Sequence, residues 1–329
     1  MSLVGIIANP ASGKDIRRLV AYGSVFDNQE KVRIVRRVLI GLAATGVERI
    51  CYMQDYFGIV ERAISKIELK IPIQALNFKL TGTQQDSTQA ARMMAAEGAG
   101  CIVTLGGDGT NRAVVKGSAA VPILPISTGT NNVFPEMVEG TIAGLAAGLV
   151  AANLVPLEEV TSVHTRLEVL LDGQMVDLAL VDGVVYDSFF VGSRAVWDMD
   201  RVRAIYLNRA EPESIGLSSI GGLLHPVGPA ELLGLCLELG GNGRAVTAPV
   251  APGMIRDVIV SNQKVMQIGE TVDIRFCPSV LALDGERELE IRQGHQAAVR
   301  VGNGGPTVVD VTRTMNAAMK RNIFASKIG

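Results

Sequence analysis

The residues best suited to chemistry are Gly106-Gly107-Asp108-Gly109-Thr110, at the end of an apolar run over residues 101–105. Three glycines let a backbone approach a phosphate closely and aim several N–H groups at it. A helix starting just after adds a dipole that favours anions. Asp108 opposes plain anion binding, so a carboxylate there suits Mg²⁺ or the proton of a hydroxyl. A glycine-rich turn between a strand and a helix would show the same pattern, and two other loops decide between these readings.

Asn9-Pro10-Ala11-Ser12-Gly13-Lys14-Asp15 closes the apolar run over residues 3–8. It lacks the first glycine of a Walker loop and has Asp15 where Ser or Thr should follow Lys14, which excludes that motif. It still offers Asn9, Ser12 and Lys14 to a ligand. Ser127-Thr128-Gly129-Thr130-Asn131-Asn132 presents hydroxyls and amides without charge, a set suited to a sugar or nucleotide. A fourth loop, Thr81-Gly82-Thr83-Gln84-Gln85-Asp86, reads as a helix start, with Asp86 as the cap of a helix through Glu97.

These loops need a scaffold that brings them together. Apolar runs over residues 3–8, 49–53, 73–78, 101–105 and 121–126 read as strands, and residues 28–44, 57–67, 86–97 and 136–154 as helices. Continuous apolar strands alternating with helices imply a parallel sheet covered on both faces. Ligands of such sheets bind outside the carboxyl ends of the strands, where the three loops fall. Gly140, Gly144 and Gly148 recur at four-residue spacing in the last helix, a pattern read as tight packing on the sheet. That stretch is too short to span a bilayer.

Beyond Pro156 the texture becomes β-rich and antiparallel. Strands are expected over residues 166–171 and 175–186, joined by the hairpin signal Asp172-Gly173. Residues 232–239 and 244–248 read as a second hairpin about a Gly-Asn-Gly turn, and residues 199–208 as a helical interruption. Further strands are expected over residues 258–261, 271–276, 288–291 and 297–301, and a helix over 311–324.

Composition excludes other classes. Among 329 residues, 31 basic and 33 acidic side chains give a net charge of −2, unlike a protein held on nucleic acid by bulk charge. Cys51, Cys101, Cys236 and Cys277 and the histidines His164, His225 and His295 show no metal-ligand spacing. Reduced thiols and an N-terminus without a basic leader lead to the expectation of a cytoplasmic protein. Arg33, Arg36 and Arg37 read as a solvated helix face, and Trp197 as packing. Asp182, Asp187 and Asp198 are too dispersed to define a paired-acid site. Gly-x-Gly-x-x-Gly is missing after the first strand, which speaks against a dehydrogenase.

The Asn-Pro-x-Ser-Gly loop, Gly-Gly-Asp-Gly-Thr and the Gly-Thr-x-Asn loop together resemble the superfamily of NAD kinases and diacylglycerol-type lipid kinases. The second half is similar too. Residues 179–185, Ala-Leu-Val-Asp-Gly-Val-Val, lie where NAD kinases carry Ala-Leu-Asn-Glu-Val-Val. The run from Leu217 to Pro226 resembles their Ser-Leu-Ser-Ala-Gly-Gly stretch before His-Pro, and Asp284-Gly285-Glu286 their late Asp-Gly turn. Within the superfamily the chain looks like the acetoin-catabolism protein X group.

The resemblance implies an α/β chain. Residues 1–155 would form a three-layer Rossmann-like parallel-sheet domain, 156–310 a β-rich antiparallel sandwich, and 311–329 a helix returning to the first domain. It implies ATP with Mg²⁺, a hydroxylated acceptor, NAD as ligand or acceptor, and a homo-oligomer. Asp108 would assist deprotonation of the acceptor hydroxyl. Gly106, Gly107, Gly109 and Thr110 would hold phosphates, with Asn9, Ser12, Ser127, Gly129, Thr130, Asn131 and Asp182 completing the nucleotide site. The chain departs from NAD kinases at Val181-Asp182, in place of their Asn-Glu, and Glu213-Ser214-Ile215-Gly216 stands where they have Thr-Gly-Ser-Thr-Ala-Tyr. A site lacking these hydrogen-bonding groups discriminates differently. The expected activity is therefore ATP-dependent phosphoryl transfer to a hydroxyl, linked to acetoin catabolism. The alternative is a non-catalytic nucleotide-binding sensor or auxiliary protein.

Overall fold

Strand β1 (Leu3–Ala8) is buried on both faces, which explains its unbroken apolar run. Val4, Ile6 and Ala8 enter one core, and Leu3 and Ile7 enter another. The computed structural model describes residues 2–13, 26–129, 132–188 and 199–325. Lys14, Asp15, Thr130, Asn131, Trp197 and Asp198 lie outside them.

The chain continues through α1 (Asn28–Ala43), β2 (Arg49–Tyr52), α2 (Ile59–Ile64), β3 (Ile73–Ala75), α3 (Gln84–Ala96), β4 (Cys101–Gly106), α4 (Asp108–Gly117), β5 (Ile123–Ser127) and α5 (Gly140–Ala151). The five strands pair in parallel in the order β3-β2-β1-β4-β5. Two short strands, β6 (Thr161–Val163) and β17 (Thr307–Val309), extend this sheet beyond β5. Helices α1, α2 and α5, with α8 (Val311–Lys320), share one core with the sheet, and α3 and α4 share the other. This three-layer arrangement puts the loops after β1, β4 and β5 at one edge. A short helix, α6 (Leu157–Val160), joins α5 to β6.

Helix α5 packs on the sheet as expected, and its glycines face helix α1 and Thr45 just beyond it. A Cβ on Gly140 would lie 2.9 Å from the Ile34 carbonyl oxygen, and one on Gly144 would collide with the Val38 carbonyl. Gly41 of α1 meets Thr141 in the same way. Each close approach thus places a glycine of one helix against the backbone of the other. Helix α5 begins at Gly140 rather than residue 136, because Glu139 caps the amides of Thr141 and Ile142. Helix α3 is capped by Thr83, not by Asp86. Asp86 instead reaches back to the amides of Thr81 and Gly82, both at 2.8 Å.

The remaining strands form two antiparallel sheets. They are β7 (Arg166–Leu171), β8 (Gln174–Ala179), β9 (Asp182–Tyr186), β10 (Val202–Leu207), β11 (Leu233–Ala251), β12 (Met254–Gln267), β13 (Thr271–Asp273), β14 (Ser279–Leu283), β15 (Glu286–Ile291) and β16 (Ala297–Gly302). One sheet runs β12-β11-β10-β9-β14-β15 and the other β13-β16-β7-β8. Leu167, Val169 and Val299 of one pack on Val185, Tyr206 and Leu281 of the other. The far face of the larger sheet packs on α7 (Leu217–Gly222) through Ile220.

Three expectations for this half are corrected. Residues 175–186 do not form one strand, because the chain leaves β8 at Leu180 and changes sheet. The amides of Leu180, Val181 and Asp182 turn to the carboxylate of Asp284. Residues 199–208 are not a helix; a 3-10 turn over Met199–Arg201 leads into β10, whose pairing between β9 and β11 overrides local propensity. Residues 232–248 are not a hairpin. Both segments belong to β11, which bulges at Gly240 and Gly241 (φ 95° and 66°) and resumes pairing opposite Val260.

Close backbone contact between α1 and α5 makes Gly144 intolerant of a side chain. Gly144→Ala is expected to cost about 2 kcal/mol in urea denaturation. A change within about 0.5 kcal/mol, the range of a neutral surface substitution, would contradict the packing described.

Candidate functional site

Strand β4 ends against its own next turn: a Cβ on Gly106 would collide with the Thr110 side chain. Gly107 then adopts an extended conformation as the N-cap of α4 and contributes no capping side chain. Asn111 N–H closes the first helical turn on the Gly107 carbonyl at 3.2 Å. The amides of Gly109 and Thr110, ahead of it, belong to the helix end that intrahelical bonds leave unsatisfied. A helix start of this kind attracts anions.

Hydrogen bonds draw the other two loops onto this turn. Asn9 Nδ2 donates to Thr110 Oγ1 at 2.8 Å, and Asn9 N–H donates to the Leu105 carbonyl at 3.0 Å. Ser12 Oγ lies 3.0 Å from Thr128 Oγ1, and Thr128 N–H donates to the Gly106 carbonyl at 3.0 Å. Asn132 Nδ2 donates to Ser127 Oγ at 2.7 Å. Its Oδ1 lies 2.7 Å from where a Gly107 Cβ would stand, and a Cβ on Gly129 would collide with it. Beneath the first loop, buried Lys31 donates from Nζ to the carbonyls of Asn9 and Ser12 at 2.9 and 2.7 Å. The structure therefore brings Asn9, Ser12, Gly106, Gly107, Gly109, Thr110, Ser127 and Gly129 together. Asp182, at the start of β9, is joined to the site through Asp284, to whose Oδ1 its N–H donates at 3.2 Å.

Asp108 occupies the first turn of α4 and is buried. Its Oδ1 accepts from the amides of Val133 at 3.1 Å and Phe134 at 2.8 Å, and Oδ2 shares the Val133 amide at 3.2 Å. Burial, reinforced by the negative charge of Asp284, raises its pKa to about 7. The two amides and the charge of Arg209 oppose that rise. A carboxyl group poised near neutral pH can both take and return a proton.

Sequence reasoning missed the groups behind this carboxylate. Arg209, in the loop after β10, is buried and donates from Nη1 to the carbonyls of Val133 at 3.1 Å and Phe134 at 3.4 Å. Its guanidinium lies 4.5 Å from the centre of the Phe134 ring, and Nη2 meets His164 Nδ1. Arginine has no acceptor, so His164 Nδ1 must be unprotonated and Nε2–H faces Ser162 Oγ at 3.0 Å. Arg112 of α4 is fully buried, with Nε 3.8 Å from Asp284 and Nη1 3.5 Å from Asp177. Burial raises the Asp284 pKa, and Arg112 and three amides pull it back. Glu286 accepts from Gln84 Nε2, and both lie 3.6 Å from where a Gly109 Cβ would stand. No local sequence signal marks Arg209, because its partners are backbone carbonyls and a distant histidine. The sequence marks Glu286 only as part of a turn, because its partner Gln84 lies about two hundred residues away.

The fold and the glycine-rich turn define the class. Residues 4–154 match the ATP-NAD kinase N-terminal domain. The architecture is similar to yeast NADH kinase complexed with NADH, with a TM-score of 0.50 and 14% identity over 100% of this chain and 89% of that one. A diacylglycerol kinase from Bacillus anthracis aligns with a TM-score of 0.47 and 12% identity, over 94% and 97% of the two chains.

Residues 165–303 match the acetoin catabolism protein X C-terminal domain. Acetoin catabolism protein X of Cupriavidus necator is 39% identical over 338 residues, covering 98% of this chain and 94% of that one. The chain belongs to the acetoin catabolism protein X family and has a kinase-like fold. Among the described residues, no helix is long and apolar enough to cross a membrane.

Burial and the adjacent Arg209 push the His164 pKa down from 6.5 to about 3. The unfolded chain binds a proton at this histidine below pH 6.5 that the folded chain refuses until about pH 3. Its contribution is therefore present above pH 6.5 and lost as the pH falls toward 3. The unfolding free energy of wild type minus that of His164→Gln should fall on acidification from pH 6.5 to 4, by up to about 1.4 kcal/mol per pH unit. A difference independent of pH would contradict the buried neutral imidazole.

Proposed function

We propose that the chain is a phosphotransferase that binds Mg·ATP at the ends of β1, β4 and β5 and transfers a phosphoryl group to a hydroxylated acceptor. The observation that carries the reading is Asp108, a carboxylate buried in the first turn of α4 between two loops of hydroxyls and amides. Its Oδ1 is occupied by two main-chain amides, while among the described residues Oδ2 has only the shared 3.2 Å contact with Val133. That oxygen is the one suited to accept the proton of an incoming hydroxyl.

The residues present fit a nucleoside triphosphate. The Gly109 and Thr110 amides and the positive end of α4 suit phosphate oxygens. Asn9, Ser12, Ser127 and Thr128 supply uncharged partners for phosphate or ribose. Among the described residues no group of three metal-ligating side chains exists. Mg²⁺ commonly binds through one or two carboxylates and the substrate phosphates, and Glu286, beside Gly109, is a carboxylate that could hold it at the turn.

Mg·ATP, when bound, supplies the γ-phosphoryl group and neutralises charge on it. The chain's own residues hold the phosphates, orient the acceptor hydroxyl and take its proton at Asp108. The new bond joins acceptor oxygen to phosphorus, and the bond to the ADP oxygen breaks. Positioning and charge stabilisation supply most of the rate. A link to acetoin catabolism is proposed from the name of the Cupriavidus necator relative, and NAD as ligand or acceptor from the class of fold.

Transfer of label from γ-labelled ATP with Mg²⁺ should appear on one member of a panel holding NAD, NADH, diacylglycerol, acetoin and small diols. Asp108→Asn should reduce it at least about 100-fold, the lower range for loss of a general base. A folded, equally active variant would sink the role of Asp108. Nucleotide binding without transfer to any acceptor would replace the kinase reading with a sensor or auxiliary role.

A further inference from the structure

One peptide group lies between a buried cation and the candidate base. The carbonyl of Val133 accepts from Arg209 Nη1 at 3.1 Å, and the N–H on the other side of the same peptide, that of Phe134, donates to Asp108 Oδ1 at 2.8 Å. The following carbonyl, of Phe134, also accepts from Arg209 at 3.4 Å. Stacking on the Phe134 ring and the contact with His164 Nδ1 fix the guanidinium plane. We propose that Arg209 is a positioning residue for Asp108, acting through the Val133–Phe134 peptide to polarise the Phe134 amide and to fix the loop whose two amides hold the carboxylate.

The chemistry follows from hydrogen bonds in series. A charged donor on a carbonyl polarises that peptide, which makes its N–H a stronger donor. The carboxylate then receives part of the guanidinium charge across the peptide without a direct salt bridge. A direct bridge would cover the oxygens needed for a proton, whereas the relayed contact occupies Oδ1 and leaves Oδ2. Arg209 also comes from the loop after β10, so the second half of the chain sets the charge state of a residue on the first. The inference deepens the proposed function and rests on it only for the consequence in turnover.

Other charges act on the same groups. Asp284, from the turn between β14 and β15, faces Asp108 and opposes Arg209. Arg112 of α4 partly neutralises Asp284. Glu211 and Glu136, with Asp108 and Asp284, hold Arg209 in its charged form against burial, and His164 meets it as a neutral acceptor. Removing the Arg209 charge therefore leaves Asp108 facing Asp284 without its cation, and the protonated form of Asp108 should persist to higher pH.

Infrared difference titration reads this without nucleotide or turnover. The protonated-carboxyl band of Asp108 is assigned by its loss in Asp108→Asn. Arg209→Gln keeps a donor for the Val133 carbonyl but loses the charge, and Arg209→Lys keeps the charge. The Asp108 midpoint should move up by about one pH unit or more in Arg209→Gln and by less than half of that in Arg209→Lys. An unmoved midpoint in folded Arg209→Gln overturns the proposal. Equal shifts in the two variants also overturn it, as does loss of folding in both, since Arg209 would then serve the fold as a whole. Failure of phosphoryl transfer would remove the proposed function but leave this titration to be read on its own.

Discussion

A carboxylate taken out of water must find hydrogen-bond donors, and Asp108 finds them in two consecutive amides of a loop that no strand or helix claims. The 2.8 Å bond from Phe134 N–H and its partner from Val133 fix where the loop after β5 runs. That loop carries Asn132 against Gly107 and Gly129, and so sets the shape of the glycine-rich turn. Its outer carbonyls bind Arg209, which ties the sandwich to the first sheet. Asp284 repeats the device for three amides between β8 and β9. Two buried aspartates, each satisfied mainly by backbone, thus hold the halves of the chain at one site.

Much of the parallel sheet was legible because strands buried on both faces must be apolar throughout. Residues 3–8 and 101–105 show that run, and both lie at the centre of the sheet as β1 and β4. The glycine-rich turn was legible for a related reason: Gly106 has no space for a side chain. The break at Leu180 was not, since the group that captures its amide sits more than one hundred residues away in Asp284. The bulge at Gly240 and Gly241 looked like a hairpin because positive φ is what a hairpin turn demands. Only the partner strand, resuming opposite Val260, shows otherwise.

The site was legible in its polar loops and illegible in its electrostatics. Asn9, Ser12 and Thr110 are recognisable as ligand-facing types at strand ends, and they converge through direct hydrogen bonds. Arg209 carries no such mark, because a lone arginine after a strand is usually a surface residue. Its burial follows from His164 and the Phe134 ring, both distant in sequence. The departure at Val181-Asp182 also acquires a physical setting. Val181 and Asp182 supply amides to Asp284, and this part of the chain serves the buried carboxylate whatever its side chains offer a ligand.

If the turn at Gly106–Thr110 is a phosphate site with Asp108 beside it, a crystal structure of the chain grown with Mg²⁺ and ADP should show it. Phosphate oxygens are expected on the amides of Gly109 and Thr110, within hydrogen-bond reach of the loops carrying Asn9 and Ser127. Ordered nucleotide with its phosphates elsewhere on the chain would contradict this placement.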